Sequence, residues 1–248
     1  MEKIIWTKDR LIRLICFCVC EIFCLGSALY MAVAARGASQ ILSCLVSAAC
    51  LILPTAIEKL LSVRVATPVY IFVLLYAIGP MLGHAYTFYY LIPWWDTLLH
   101  TVGGVVFALL GAYLPRLFYK NEEDCPILLC VFFGLFFSIT VSVLWEFVEF
   151  FCDRLFLSDL QSDRLINEFY SYFLGDKATG DVGFSGTINE IVIGDTTLNG
   201  YIDLGLFDTM KDMFVESLGA AVYVIVFALD KGKHCSLFRV KKMSKKSE

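Results

Sequence analysis

In the run "WWDTLLHTVGG", Asp96 and His100 stand four residues apart, and in "WEFVEF" Glu146 and Glu149 stand three apart. A third run, "FDTMKDMFVESLGA", repeats acids at intervals of four through Asp208, Asp212 and Glu216. Residues three or four apart share one face of a helix. Each run therefore presents a set of carboxylates, and the first adds an imidazole. Oxygen-rich sets with one imidazole suit Mg²⁺, Mn²⁺, Fe²⁺ or Zn²⁺ better than Cu⁺. A metal held this way polarises a substrate or activates water, and a spare glutamate serves as general base. Asp96, His100, Asp208 and Asp212 are the candidate metal ligands. Glu146, Glu149 and Glu216 are the candidate catalytic acids and bases.

The elements that must position these groups are membrane spans. The chain is 58% hydrophobic and only 18% charged, with a mean hydropathy of +0.72. Soluble domains carry about 25% charged residues. Six apolar stretches, near 11–34, 39–61, 68–91, 97–119, 126–151 and 208–229, reach the length of about 20 residues that a bilayer crossing needs. The first is too long for the apolar core of a signal peptide, about 7–15 residues. Lys3, Lys8, Arg10 and Arg13 precede the first span, Lys59 and Arg64 follow the second, Arg116 and Lys120 follow the fourth, and the tail from 230 to 248 is basic. By the positive-inside rule both termini are cytoplasmic and the odd-numbered connections lie outside.

The expected fold is thus an all-α polytopic membrane protein, a single membrane domain of six transmembrane helices. Between helices 5 and 6 it carries a small extracytoplasmic α/β-hairpin insertion, residues 152–207. The first half of that insertion, "DRLFLSDLQSDRLINEFYSYF", has apolar residues at helical spacing and is expected to lie along the membrane surface. The second half is rich in Ile, Val and Thr with Gly-Asp and Asn-Gly breaks, which predicts a hairpin within 186–205 over the outer ends of the fourth to sixth spans.

An ionisable residue at the centre of a spanning helix costs about 2.5–3.5 kcal/mol on insertion scales, and is a functional candidate by default. Counting helix rise at about 1.5 Å per residue brings Asp96, His100, Glu146, Glu149, Asp208 and Asp212 to one level near the outer face, with Glu216 about a turn deeper. His84 is a further candidate member, whereas Glu21 lies deep in the first span without a partner. Two like charges 4 Å apart repel by about 4 kcal/mol at an effective dielectric of 20. The set therefore calls for raised pKa values or a resident cation. Helix capping by Asp96 and Asp208 is the simpler alternative, and it leaves His100, Asp212 and Glu216 unexplained. Gly103, Gly104, Gly111 and Gly219 would let the polar helices approach closely. Cys16, Cys20 and Cys24 form a helical stripe that reads as packing.

These three motifs together resemble the bacterial YjdF-like membrane family, with its Asp-x3-His-x2-Gly, Glu-x2-Glu and Asp-x3-Asp helices. More distantly they resemble the VanZ-like proteins. Asp96, His100, Gly103, Glu146, Asp212 and Gly219 match the VanZ-like pattern, while Glu149 replaces its Gln and Glu216 its Asn. The resemblance covers roughly residues 75–225. It implies a protein of the bacterial plasma membrane, and the VanZ likeness implies a link to glycopeptide tolerance.

Three functions compete. One is a metal-dependent hydrolase or transferase acting on a lipid or lipid-linked envelope substrate at the outer leaflet. The second is a cation- or proton-coupled transporter; Gly79-Pro80 is the one clear helix interruption that such proteins use. The third is a non-catalytic cell-envelope factor. No nucleic-acid partner is expected, because the basic tail reads as a positive-inside flank with anionic-lipid contact. Substituted-cysteine labelling tests the topology: a cysteine placed near Gly232 should be protected from a reagent added outside intact cells, and its labelling from outside would refute it.

Overall fold

Among the described residues, six helical stretches are long and apolar enough to cross a membrane. The computed structural model describes residues 8–156, 159–176, 178–184, 188–230 and 241–242. The first span is α1 (Lys8–Val33) and the second is split into α2 (Ala38–Leu51) and α3 (Leu53–Leu60). Pro54 lies in the first turn of α3, where its missing N–H disturbs the ladder least. After the two-residue strand β1 (Val63–Arg64), α4 (Thr67–Ala85) starts with Pro68 in its first turn and carries Pro80 inside. The expected third span to residue 91 is shorter than its apolar run. Thr87, at a φ of 60°, turns the chain into the short α5 (Phe88–Leu91). Then follow α6 (Trp95–Tyr113), α7 (Ile127–Phe156) and α8 (Leu206–Leu229).

The chain divides into two compact units, Met1–Ser142 with Val215–Glu248, and Val143–Phe214. In the first unit α1, α2 and α4 share a core in which Cys20, Cys24, Cys44, Leu51, Leu74 and Met81 are buried. The cysteine stripe is packing, and the described cysteines are all free thiols. Outward-facing residues such as Ile15, Val19, Ile22 and Leu29 are large, apolar and exposed, as lipid-facing positions are. The chain is a membrane protein associated with a lipid bilayer.

The second contact group of this unit is built on glycine. A Cβ on Gly104 would overlap the carbonyl oxygen of Glu216, and one on Gly219 would overlap the carbonyl of Thr101. One on Gly111 would come within 2.7 Å of the Phe133 carbonyl, and one on Gly134 within 2.9 Å of the Ala108 carbonyl. Gly104 is level with Glu216, and a Cβ on Gly134 would lie 3.0 Å from Val224 and 3.2 Å from Ala112, so residue numbers rise together along α6 and α8, which run parallel, while they run oppositely along α6 and the first part of α7. Ala108, Ala220 and Val224 fill the seam.

At one end of the unit, Arg13 on α1 donates to Glu58 Oε1 on α3 at 2.6 Å, and the Val65 N–H donates to the same oxygen at 2.7 Å. The guanidinium lies 3.9 Å from the Tyr70 ring centroid. Near it, β1 pairs antiparallel with β8 (Lys241–Lys242). The second connection and this part of the tail therefore share one end of the unit. The rest of the tail from 231 and the flank around Lys3 lie outside the described residues.

In the second unit, β2 (Arg164–Ile166) pairs with β7 (Tyr201–Asp203), β3 (Tyr170–Ser171) with β4 (Gly183–Phe184), and β5 (Ile191–Ile193) with β6 (Thr196–Leu198), all antiparallel. The expected hairpin is β5–β6, closed by Gly194-Asp195 with Gly194 at a φ of 59°. The expected surface helix is not formed. Instead α7 continues to Phe156, and Asp153 accepts the backbone N–H groups of Leu160 and Gln161 at 2.7 and 2.9 Å. An aspartate that takes up backbone donors in this way competes with continued helix. The apolar residues downstream are spent on β2 and β3.

Breaking a buried ion pair strands a charge and costs about 3–5 kcal/mol. Glu58→Ala is expected to lower unfolding stability by about that amount in detergent. The Arg13→Met/Glu58→Met double substitution should recover most of it, as read by SDS or thermal unfolding.

Candidate functional site

His100 is the centre of the polar group in the first unit. It lies one turn after Asp96 on α6 and is only 8% exposed. Its Nε2 is 3.5 Å from Asp96 Oδ1, and its Nδ1 is 3.6 Å from Glu216 Oε2 on α8. Both ring nitrogens thus face a carboxylate. Glu216 is 4% exposed, and its Oε1 has no hydrogen-bond partner among the described residues. The glycines that bring α6 against α8 make this proximity possible, because any side chain at Gly104 would push the Glu216 backbone away.

Three polar side chains that were not sequence candidates, Tyr76, Ser138 and Ser142, also lie in this unit. A Cβ on Gly103 would lie 2.7 Å from the Tyr76 hydroxyl and 3.8 Å from Glu216 Oε1, so Tyr76 on α4 and Glu216 reach toward the same point. On α7, Ser138 donates to the Gly104 carbonyl at 3.1 Å. One turn further, Ser142 is fully buried and its hydroxyl has no hydrogen-bond partner among the described residues. A tyrosine in the middle of an apolar span was a usable signal, since a buried phenol needs a partner. The i, i+4 serines were another.

The remaining candidates belong to the second unit. Glu146 is 4% exposed. Glu149 accepts the indole N–H of Trp145, four residues back, at 2.8 Å. Asp208 accepts the Ser162 N–H at 3.0 Å. Lys211 lies 3.2 Å from Asp208 Oδ1 and 3.1 Å from Asp212 Oδ1, and Asp212 is almost wholly buried. Crowded acids call for a bound cation or raised pKa values. The chain also supplies an ammonium of its own, legible in "DTMKD" at i, i+3.

Capping does not account for these aspartates. The cap position of α6 is Trp94, with no side-chain cap bond. At α8 it is Asp203 that accepts the Phe207 N–H, at 2.8 Å. His84 packs edge-on to Tyr89 with ring centroids 5.0 Å apart, and Glu21 sits half-buried on α1.

A family profile described as "Predicted membrane protein (DUF2238)" matches residues 16–232. The chain belongs to this family. No curated protein and no solved structure matches it. All seven ionisable candidates of this DUF2238 chain fall inside the matched stretch.

The insertion of the DUF2238 chain has its own electrostatic load. Burial, with Asp153 and Asp208 nearby, pushes the Asp159 carboxyl above its ordinary value of 3.8. Burial, with Asp159, Asp153 and Asp203 nearby, does the same to Asp163. A carboxyl raised in the folded state favours folding fully below its unfolded value, and that contribution is lost as pH rises through the folded value. Asp163→Asn is therefore expected to stabilise the insertion at pH 7, with the advantage fading as pH falls through the raised folded value and gone below 3.8. Limited proteolysis across this pH range reads the effect.

Proposed function

We propose that this protein is a metal-dependent hydrolase or transferase of the bacterial plasma membrane, acting at the outer leaflet on a lipid or lipid-linked envelope substrate. Asp96, His100 and Asp212 are the ligands we assign to a divalent ion, Mg²⁺, Mn²⁺, Fe²⁺ or Zn²⁺. Two carboxylates and one imidazole are a donor set that suits such ions. The observation that carries the reading is a buried His100 with a carboxylate at each ring nitrogen. Helix register supports the third ligand. Asp212 precedes Glu216 by one turn as Asp96 precedes His100, and α8 runs parallel to α6 where Glu216 meets it.

The remaining acids divide by what already holds them. Glu146, buried and one turn beyond Ser142 on α7, is the candidate general base. Glu149 is engaged by the Trp145 indole and Asp208 by the Ser162 N–H, which suits positioning rather than metal ligation. Phe147 and Phe150 are exposed on the same helix and offer an apolar surface for an acyl or polyprenyl chain. The likeness of the three motifs to YjdF-like and VanZ-like proteins supports an envelope role. With both termini cytoplasmic, the second connection and the tail face the cytoplasm and the metal faces outward.

Cation-coupled transport is the second reading. Lys211 favours it, because an ammonium between two aspartates is a charge that an incoming cation can displace.

Elemental analysis of detergent-purified protein is the test. The wild type should retain one divalent ion per chain, His100→Ala and Asp212→Ala should lose it, and Glu21→Gln should keep it. Labelled polyprenyl phosphates and phospholipids should be turned over only with the ion present. A wild type that retains no ion overturns the metal reading, and retention without turnover supports transport.

A further inference from the structure

We infer that Glu216 is a positioning carboxylate, which holds His100 in the tautomer that carries its proton on Nδ1 and leaves Nε2 as the ligand atom. The role of Nε2 rests on the metal reading above; the tautomer itself does not. A neutral imidazole has one N–H and one lone pair, and the partner of the N–H decides which nitrogen is left to bind a metal. Glu216 faces Nδ1 and Asp96 faces Nε2. The two carboxylates differ in surroundings: the Asp96 side chain is 28% exposed and the Glu216 side chain 5%. The Nε2 side therefore opens toward the end of α6 where an ion can enter, and the Nδ1 side is enclosed.

The fold also fixes Glu216 in a way that suits orientation. Its carbonyl lies against Gly104, and three residues later Gly219 lies against the Thr101 carbonyl, so the Glu216 backbone is clamped to α6 within one turn. A general base has to reach a water or substrate proton, and Glu216 stands behind His100 on the enclosed side. An acid clamped on the far side of a ligating histidine is instead the arrangement that sets ring orientation and strengthens the ligand. The Tyr76 hydroxyl approaches the point that Oε1 faces, so α4 limits how far the carboxylate can swing.

The experiment uses the full chain labelled with ¹⁵N-histidine, in detergent, with the His100 signals assigned by their loss in His100→Ala. Zn²⁺ is the probe ion. Two variants are compared: Glu216→Gln, whose amide oxygen keeps an acceptor facing Nδ1 without the charge, and Glu216→Leu, which is apolar and close in size. Wild type and Glu216→Gln should show the Nδ1–H tautomer with or without Zn²⁺. Glu216→Leu should lose that preference and bind Zn²⁺ about 10–100-fold more weakly, the usual effect of removing such a partner. An unchanged tautomer in Glu216→Leu, or a wild type with the proton on Nε2, overturns the inference. A wild type that binds no Zn²⁺ yet shows the Nδ1–H tautomer sinks the metal reading alone. Loss of turnover in Glu216→Gln with tautomer and affinity intact would make Glu216 a general base and overturn the inference.

Discussion

A charge inside an apolar bundle persists only where another group compensates it, and the polar part of this protein is organised around that constraint. Asp96 and Glu216 meet it at the two ring nitrogens of His100. Asp208 and Asp212 meet it with Lys211. Arg13 and Glu58 meet it with each other, with the Val65 N–H and the Tyr70 ring sharing the load. The last pair shows what a purely structural solution looks like, because its acceptor is satisfied from two sides at short distance. The His100 group differs. Its distances are longer, and among the described residues neither Glu216 Oε1 nor the Ser142 hydroxyl has a hydrogen-bond partner. Buried polar capacity left unused costs free energy, and functional sites are where proteins retain it.

Close approach of backbones is the second requirement, and glycine supplies it. Without side chains at Gly104 and Gly219, α6 and α8 touch through their main chains, and Glu216 is drawn to within reach of His100. Membrane helices gain nothing from excluding lipid in favour of other apolar surface, so packing of small residues has to supply the association. The same glycines therefore serve stability and geometry at once. Gly103 has a different task, since the space its side chain would fill is where the Tyr76 hydroxyl points.

The insertion is a separate physical problem. Asp153 and Asp203 each take up backbone N–H groups at the ends of α7 and α8, which ties the carboxylates to chain reversal rather than to catalysis. Crowding of Asp159 and Asp163 with these residues is tolerated because the segment lies outside the spanning helices, where water screens part of the repulsion. The acids of this chain thus fall into those that shape the loop and those enclosed by helices. Only the second group carries a functional proposal.

The sequence by itself determined the spans, the β5–β6 hairpin and the helical faces of the ionisable residues. Each of these depends on local periodicity, on hydropathy over about 20 residues, or on a two-residue turn such as Gly194-Asp195. The pairing of Asp96 with His100 was legible for the same reason, being one helical turn. What the sequence misread was also local in appearance. The apolar spacing after Cys152 reads as a helix, but Asp153 captures the N–H groups of Leu160 and Gln161, and the segment forms strands with partners up to forty residues away. Only the tertiary structure decided that Glu216 faces His100, that Tyr76 approaches the same point, and that Arg13 is paired with Glu58 rather than left as a surface charge. Those contacts join helices far apart in the chain, and their distances depend on how closely glycine lets two backbones approach, which no single helix encodes.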